Sequence, residues 1–209
     1  MNKITLVLLA AFLSAAAPSW AATSYCGDLK AGYGPYDYRD RSSGKLEVVE
    51  IHHFNQDVEN GVRGQSSYLG DDLHYVLTSI PNHHRALATL AMVALRTHSL
   101  QLEGARYPVE CYFERAIRFA PNDGVVHGAY GNYLFQTGKT QRALERFKTA
   151  IELEPENPVI NYNLGLLYMK VKNYDKAEEY AEKAYALGFP LPGLRNQLAA
   201  VGRGKATAK

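Results

Sequence analysis

The chain has 209 residues, of which 46% are hydrophobic and 21% charged, a balance that supports a folded core and excludes a largely disordered chain. Its 23 basic and 21 acidic residues leave a formal charge of +2, too small to point to nucleic acid or an anionic membrane surface as partner. The one long apolar run, Ile4 to Ala17, is about 14 residues, short of the roughly 18 needed to span a bilayer.

Residues 1–21 have the three-part plan of a secretory signal peptide: the positive head Met1-Asn2-Lys3, the apolar body Ile4 to Ala17, and the turn-prone end Pro18-Ser19-Trp20-Ala21. Cleavage after Ala21 fits best, because cutting after Ala22 would put Trp20 where a small side chain is expected. Cys26 lies near this site, but Tyr25 precedes it where a lipoprotein signal needs a small residue, so the expectation is a soluble exported protein. There is no Asn-x-Ser/Thr acceptor, and the expected location is periplasmic or secreted. Cys26 and Cys111 would then sit in an oxidising compartment, where an even count invites pairing; two free thiols are the alternative.

In residues 22–70, Tyr25, Tyr33, Tyr36 and Tyr38 stand among Gly27, Gly32, Gly34 and Pro35, which reads as a turning coil. Lys45 to Phe54 carries Leu46, Val48, Val49 and Ile51 and reads as a strand. This coil and strand segment is expected to pack across whatever follows it.

From residue 71 to 201 the pattern is helical and periodic. Pro81, Pro121, Pro155 and Pro190 are spaced by 40, 34 and 35 residues, and a fixed spacing in this range signals stacked helical pairs. Apolar residues recur at helical steps over Val125–Phe135 and Gln141–Leu153, and again over Val159–Val171 and Tyr174–Leu187, with Thr137-Gly138-Lys139-Thr140 and Lys172-Asn173 as the turns. His127, Tyr130, Gly131, Leu134, Ala143, Phe147, Ala150 and Pro155, and then Asn161, Leu164, Gly165, Tyr168, Ala177 and Ala184, fill the signature places of one unit and the next. The stretch resembles the tetratricopeptide repeat family, best over 124–157 and 158–188. Leu87, Leu90, Ala91, Ala94, Phe113, Ala116 and Pro121 make a looser unit before it, with six extra residues around Ser99 to Arg106. Leu73, Val76, Leu77 and Pro81 look like a second helix whose first partner is missing. Leu191 to Val201 supplies a lone closing helix, and 202–209 a small basic tail.

The expected fold is therefore mostly α: an α-α superhelical solenoid of tetratricopeptide repeats with a short N-terminal coil/strand segment. The resemblance implies a concave groove that holds a peptide or protein segment, lined here by Arg85, Met92, Arg96, Asn132, Phe135, Tyr162, Leu166 and Met169. Cys111 lies two residues from Phe113 and so faces away from the core side of its helix; a bridge to Cys26 would fasten the Tyr-rich coil to the back of the first complete repeat.

The histidines are the other candidates: His52, His53, His74, His83, His84, His98 and His127. None lies four residues from another, and neighbouring residues diverge, so no metal site is assigned. A metal- or small-ligand-binding module made by the N-terminal histidines and the Tyr-rich coil is the alternative function. The chain lacks Gly-x-Ser-x-Gly, a phosphate loop and His-Glu-x-x-His, so no catalytic residue and no cofactor is expected. The acid pair Asp71-Asp72 reads as a helix-start feature. The expected role is a non-catalytic scaffold or assembly factor for a protein or peptide of the cell envelope.

Overall fold

The structure, a computed structural model, describes residues 25–42 and 44–203. The expected signal peptide, at 1–21, and residues 204–209 of the tail lie outside the described residues. Ten helices and no strand occur among the residues described: α1 Lys45–His53, α2 Gln56–Glu59, α3 Leu69–Ser79, α4 His84–Thr97, α5 Val109–Phe119, α6 Gly124–Gln136, α7 Thr140–Leu153, α8 Pro158–Lys170, α9 Tyr174–Ala186 and α10 Gly193–Ala200.

The expected strand at Lys45 to Phe54 is α1, a helix. Gly44 enters it in the left-handed region with φ 66°, and the buried residues are Leu46 and Val49, three apart, while Val48 and Ile51 face solvent. Burial thus follows a helical period and not an alternating one. A strand here would have no neighbouring strand among the described residues with which to pair its N–H and C=O groups, whereas a helix satisfies them internally. Packing on α3 overrides the β-branched preference, and α1 supplies the partner that the sequence did not show for α3.

The periodic turns have a common chemistry. Each proline is followed two residues later by the helix cap: His83, Asp123 and Asn157 accept from the backbone N–H groups of Ala86, Val126 and Ile160. At the opposite end of each helix, His98 and Lys172 adopt positive φ in the place that Gly138 fills in the unit between them. Alanines 143, 150, 177 and 184 are fully buried, so paired helices approach closely. A β carbon on Gly131 would stand 3.1 Å from the Phe147 ring, and one on Gly165 would stand 2.5 Å from Leu194 of α10. Phe113 and Phe147 are fully buried, each contributing roughly 2 to 3 kcal/mol through lost exposed area. Phe113 also stacks on Tyr130, centroids 4.8 Å apart.

Helices α4, α6, α8 and α10 pack side by side in one row, with α5, α7 and α9 behind them. The closer approach within the first row makes it the concave side. The extra residues between α4 and α5 keep these two helices from lying along each other as closely as α6 and α7 do. Leu102 and Ala105 of the insertion are drawn into the core, and its backbone rests on Gly70 at the start of α3, where an added β carbon would meet the Glu103 carbonyl and lie 2.6 Å from the Ala105 nitrogen.

Two predictions test this construction. Gly70→Ala should destabilise by about 1 to 3 kcal/mol, since backbone and not a movable side chain blocks the methyl group; equilibrium urea unfolding measures it. His83 is fully buried, takes the Ala86 N–H on Nδ1 and so is neutral, with Nε2–H donated to Glu50 at 3.0 Å. Burial, aided by Arg85 and Arg41, pushes its pKa from 6.5 down to about 3. The unfolded chain takes up a proton below 6.5 that the folded chain refuses, so this stabilisation is complete above that pH and drains as pH falls toward about 3. Near pH 5 the loss from this group should be about 2 kcal/mol. His83→Asn, which keeps a capping side chain without titrating, should lose correspondingly less between pH 7 and 5 in the same measurement.

Candidate functional site

The concave row has two halves. Its N-terminal half carries the chain's own residues 54–61. Asn55 caps α2 by accepting the Val58 N–H, and Phe54 and Val58 are buried beneath. The Glu59 carboxylate accepts from Arg85, 2.6 Å from Nε and paired also with Nη2, and Arg85 holds it below the usual carboxylate range. The Thr89 hydroxyl donates to the Glu59 carbonyl at 2.7 Å, and Arg96 donates to the Gly61 carbonyl. Gly61 sits against Val93 and Met92, where a β carbon would be 2.5 Å from Val93. Arg85, Met92 and Arg96 therefore stand against residues 59–61 and form no open groove at that end.

The C-terminal half is open. Phe135 and Gln136 of α6, Leu166, Met169 and Lys170 of α8, and Gln197 of α10 line a cleft of ≈ 310 Å³. Asn132, half-buried, lies one helical turn before Phe135. Tyr162 departs from the expectation: it is 8% exposed and stacks on Phe189, centroids 4.0 Å apart, with its hydroxyl near Gly193. It supports the closing turn instead of lining the groove, because Pro190 and Pro192 fold the chain back over α8.

Two buried carboxylates tie the N-terminal segment to the repeats, and sequence reasoning missed both. Asp72, fully buried, accepts from His53 Nδ1 at 2.9 Å, from the Gln65 and Ser66 N–H groups and from the Ser66 hydroxyl. It is thus a staple between α1, the loop after α2, and α3, and more than a charge at a helix start. Asp123 accepts from Asn82 Nδ2 at 2.8 Å and from His84 Nε2 at 2.8 to 2.9 Å, besides capping α6. Asn82 in turn donates to Asp37 and accepts the Tyr38 N–H. Burial raises both aspartates and the hydrogen bonds outweigh it, so their pKa values lie below the ordinary one. The repeated Pro-Asn dipeptides, Pro81-Asn82 and Pro121-Asn122, are the signal that marks this junction.

The histidines are dispersed by the same contacts. His74 pairs with the Tyr112 hydroxyl at 2.9 Å and His127 with the Pro121 carbonyl at 3.0 Å. His52 and His53 share a cleft of ≈ 170 Å³ with Tyr33, Val48, Val49 and Tyr75, while His83 and His84 are committed to Glu50 and Asp123. Among the described residues no three His, Cys, Asp or Glu side chains gather as a metal-holding group.

The sulfurs of Cys26 and Cys111, 85 positions apart in sequence, stand at bonding distance, 2.05 Å. Beside them, Arg115 of α5 donates to the carbonyls of Cys26, at 3.1 Å, and of Asp28, and Arg118 donates to the Gly27 carbonyl at 2.7 Å. Arg115 is 2% exposed, and among the described residues no carboxylate lies within ion-pair distance of it. A cleft of ≈ 400 Å³ runs past both cysteines, with Tyr25, Leu100, Pro108 and Tyr133 in its wall and Glu110 bridged to Lys139 and Arg142.

Comparison with known proteins agrees with the repeat geometry. A family model described as "TPR repeat" matches residues 131–172, and one described as "Tetratricopeptide repeat" matches 158–188. The chain is 34% identical over 56 residues to the "Hsp70-Hsp90 organising protein" of Plasmodium falciparum (isolate 3D7), which is 27% of this chain and 10% of that protein. Among solved structures, "Functional Characterization of Pseudomonas Aeruginosa pilF" superposes with a TM-score of 0.53 at 21% identity, covering 75% of this chain and 65% of that one. The chain thus spans less than two thirds of both relatives, and the structural likeness shows the fold alone. No helix among the described residues is long and apolar enough to cross a membrane. Residues 131–188 thus match tetratricopeptide repeat models, and they sit within a helical solenoid of that repeat geometry.

Proposed function

We propose that this protein is a non-catalytic scaffold or assembly factor, exported to the periplasm, that holds a segment of a cell-envelope protein in the C-terminal half of its concave face. The observation that carries this reading is the open cleft at Phe135, Leu166 and Met169, apolar at its centre and edged by Gln136, Gln197 and Lys170, while the other half of the row is taken by residues 54–61. Such a lining suits an extended segment: apolar side chains fill the centre and the amides meet backbone groups. Asn132 belongs to the same surface. The scaffold role is supported by the repeats themselves and by a matched relative whose name describes an organising protein. Export is supported by the composition of residues 1–21 and by the paired cysteines, which suit an oxidising compartment. No reaction, cofactor or nucleic-acid partner is assigned.

Affinity capture from periplasmic extract tests the assignment. Phe135→Ala with Met169→Ala should weaken retention of a specific partner on the order of 10-fold or more, because truncating a large side chain at the centre of an interface costs about 1 to 3 kcal/mol. Met92→Ala, at the self-covered end, should change retention little. Equal recovery of the same proteins by the native chain and the Phe135/Met169 variant overturns the groove assignment.

A further inference from the structure

We propose that the Cys26–Cys111 bridge is a site of reversible thiol–disulfide exchange with a dithiol reductant, and that its reduction frees residues 25–31 from the face of α5. This is independent of the groove reading and rests on the bridge being formed in the native protein.

Three observations meet here. The first is access. Both cysteines, though buried, line the ≈ 400 Å³ cleft, and Tyr25 and Leu100 in its wall are each 72% exposed, so a reductant that enters the cleft comes up against the bridge. The second is asymmetry. Cys26 is 7% exposed and Cys111 1%, which directs an incoming thiolate to the Cys26 sulfur and makes Cys111 the leaving group. Cys111 stands in the first turn of α5, an 11-residue helix, where the positive end of the helix favours a thiolate and so a leaving sulfur.

The third is what holds the strap once the bridge is gone. Besides the packing of Gly27 on Tyr107, residues 26–28 are held by the Arg115 and Arg118 guanidinium groups through backbone carbonyls. Among the described residues Arg115 is a buried cation with no carboxylate at ion-pair distance, and the Nε atoms of both arginines have no hydrogen-bond partner. Lifting the strap returns Arg115 to water, which favours the charged group. The covalent bond therefore keeps closed a contact whose closure holds a guanidinium group away from water. Downstream the situation reverses: Tyr36 N–H donates to the Ser79 carbonyl at 2.9 Å and Tyr38 N–H to Asn82 at 2.9 Å. Release therefore stops near Gly34, whose backbone packs against Ser79.

The chemistry balances. One thiolate of the dithiol attacks the Cys26 sulfur, forming a mixed disulfide as the Cys26–Cys111 bond breaks; the Cys111 thiolate takes up a proton. The second thiol of the reductant, deprotonated, then displaces Cys26, which is protonated in turn. Two electrons pass from the dithiol, now a cyclic or protein disulfide, to the bridge, leaving two cysteine thiols.

The test uses the full chain with dithiothreitol as the dithiol, without denaturant. Thiols are counted by maleimide mass shift before and after treatment, and amide hydrogen exchange is followed by peptide. The expected result is no reactive thiol before treatment, both cysteines reactive after it, and exchange across residues 25–31 faster by at least ~10-fold, with α6 to α9 unchanged. The double variant Cys26→Ser, Cys111→Ser should show the same local loosening without reductant. Reactive thiols in the untreated protein, a bridge that resists until the chain is unfolded, or reduction with unchanged exchange at 25–31 would each overturn the proposal. None of these outcomes bears on the Phe135 and Met169 variants, so failure here and failure of the groove reading are separable.

Discussion

The architecture depends on close approach between helices at places where the side chain is small or missing. Gly131 lies under the Phe147 ring, and Ala143, Ala150, Ala177 and Ala184 are fully buried between helices of a pair. Contact at this distance lets Phe113 and Phe147 reach the space between successive pairs, which no single pair can cover on its own. The curvature of the row, and with it the concave face, follows from this difference in side-chain volume between its two sides.

The N-terminal segment is integral to that face. It crosses the solenoid on three kinds of contact: apolar residues such as Phe54 and Val58, buried carboxylates that collect several donors, and arginines that hold backbone carbonyls. Asp72 and Asp123 are each satisfied several times over, which is what permits a charge to sit in the interior. Residues 54–61 give one end of the concave row a fixed occupant, so the remaining surface is shorter than the repeat number alone would imply.

What was legible in the sequence was what repeats. Proline spacing and the small residues at matching places are local rules applied unit by unit, and their agreement placed the four helices between residues 124 and 187 to within a residue. The β-branched run Val48, Val49, Ile51 misled because local preference carries no information about the neighbour, and the neighbour, α3, decided the outcome. The occupation of Arg85, Met92 and Arg96 was likewise invisible, since it pairs residues about 26 to 35 positions apart through side chains that carry no periodic mark. Phe135, Leu166 and Met169 were placed by the repeat register and do converge. Tyr162 was placed by the same register but lies beneath Phe189, because the last unit is followed by a turn and not by another unit.

Helix α10 covers the face that the last matched repeat leaves. Leu194 enters the space above Gly165, and Leu198 is buried beside it, while Arg195, Asn196 and Gln197 face outward. A solenoid is in principle open-ended, each unit offering the next an adhesive surface, and an uncovered terminal unit is a template for head-to-tail growth into fibres. The eight residues of α10 lie over that adhesive surface and turn Asn196 and Gln197 to solvent in its place, which shields the last matched repeat from such stacking.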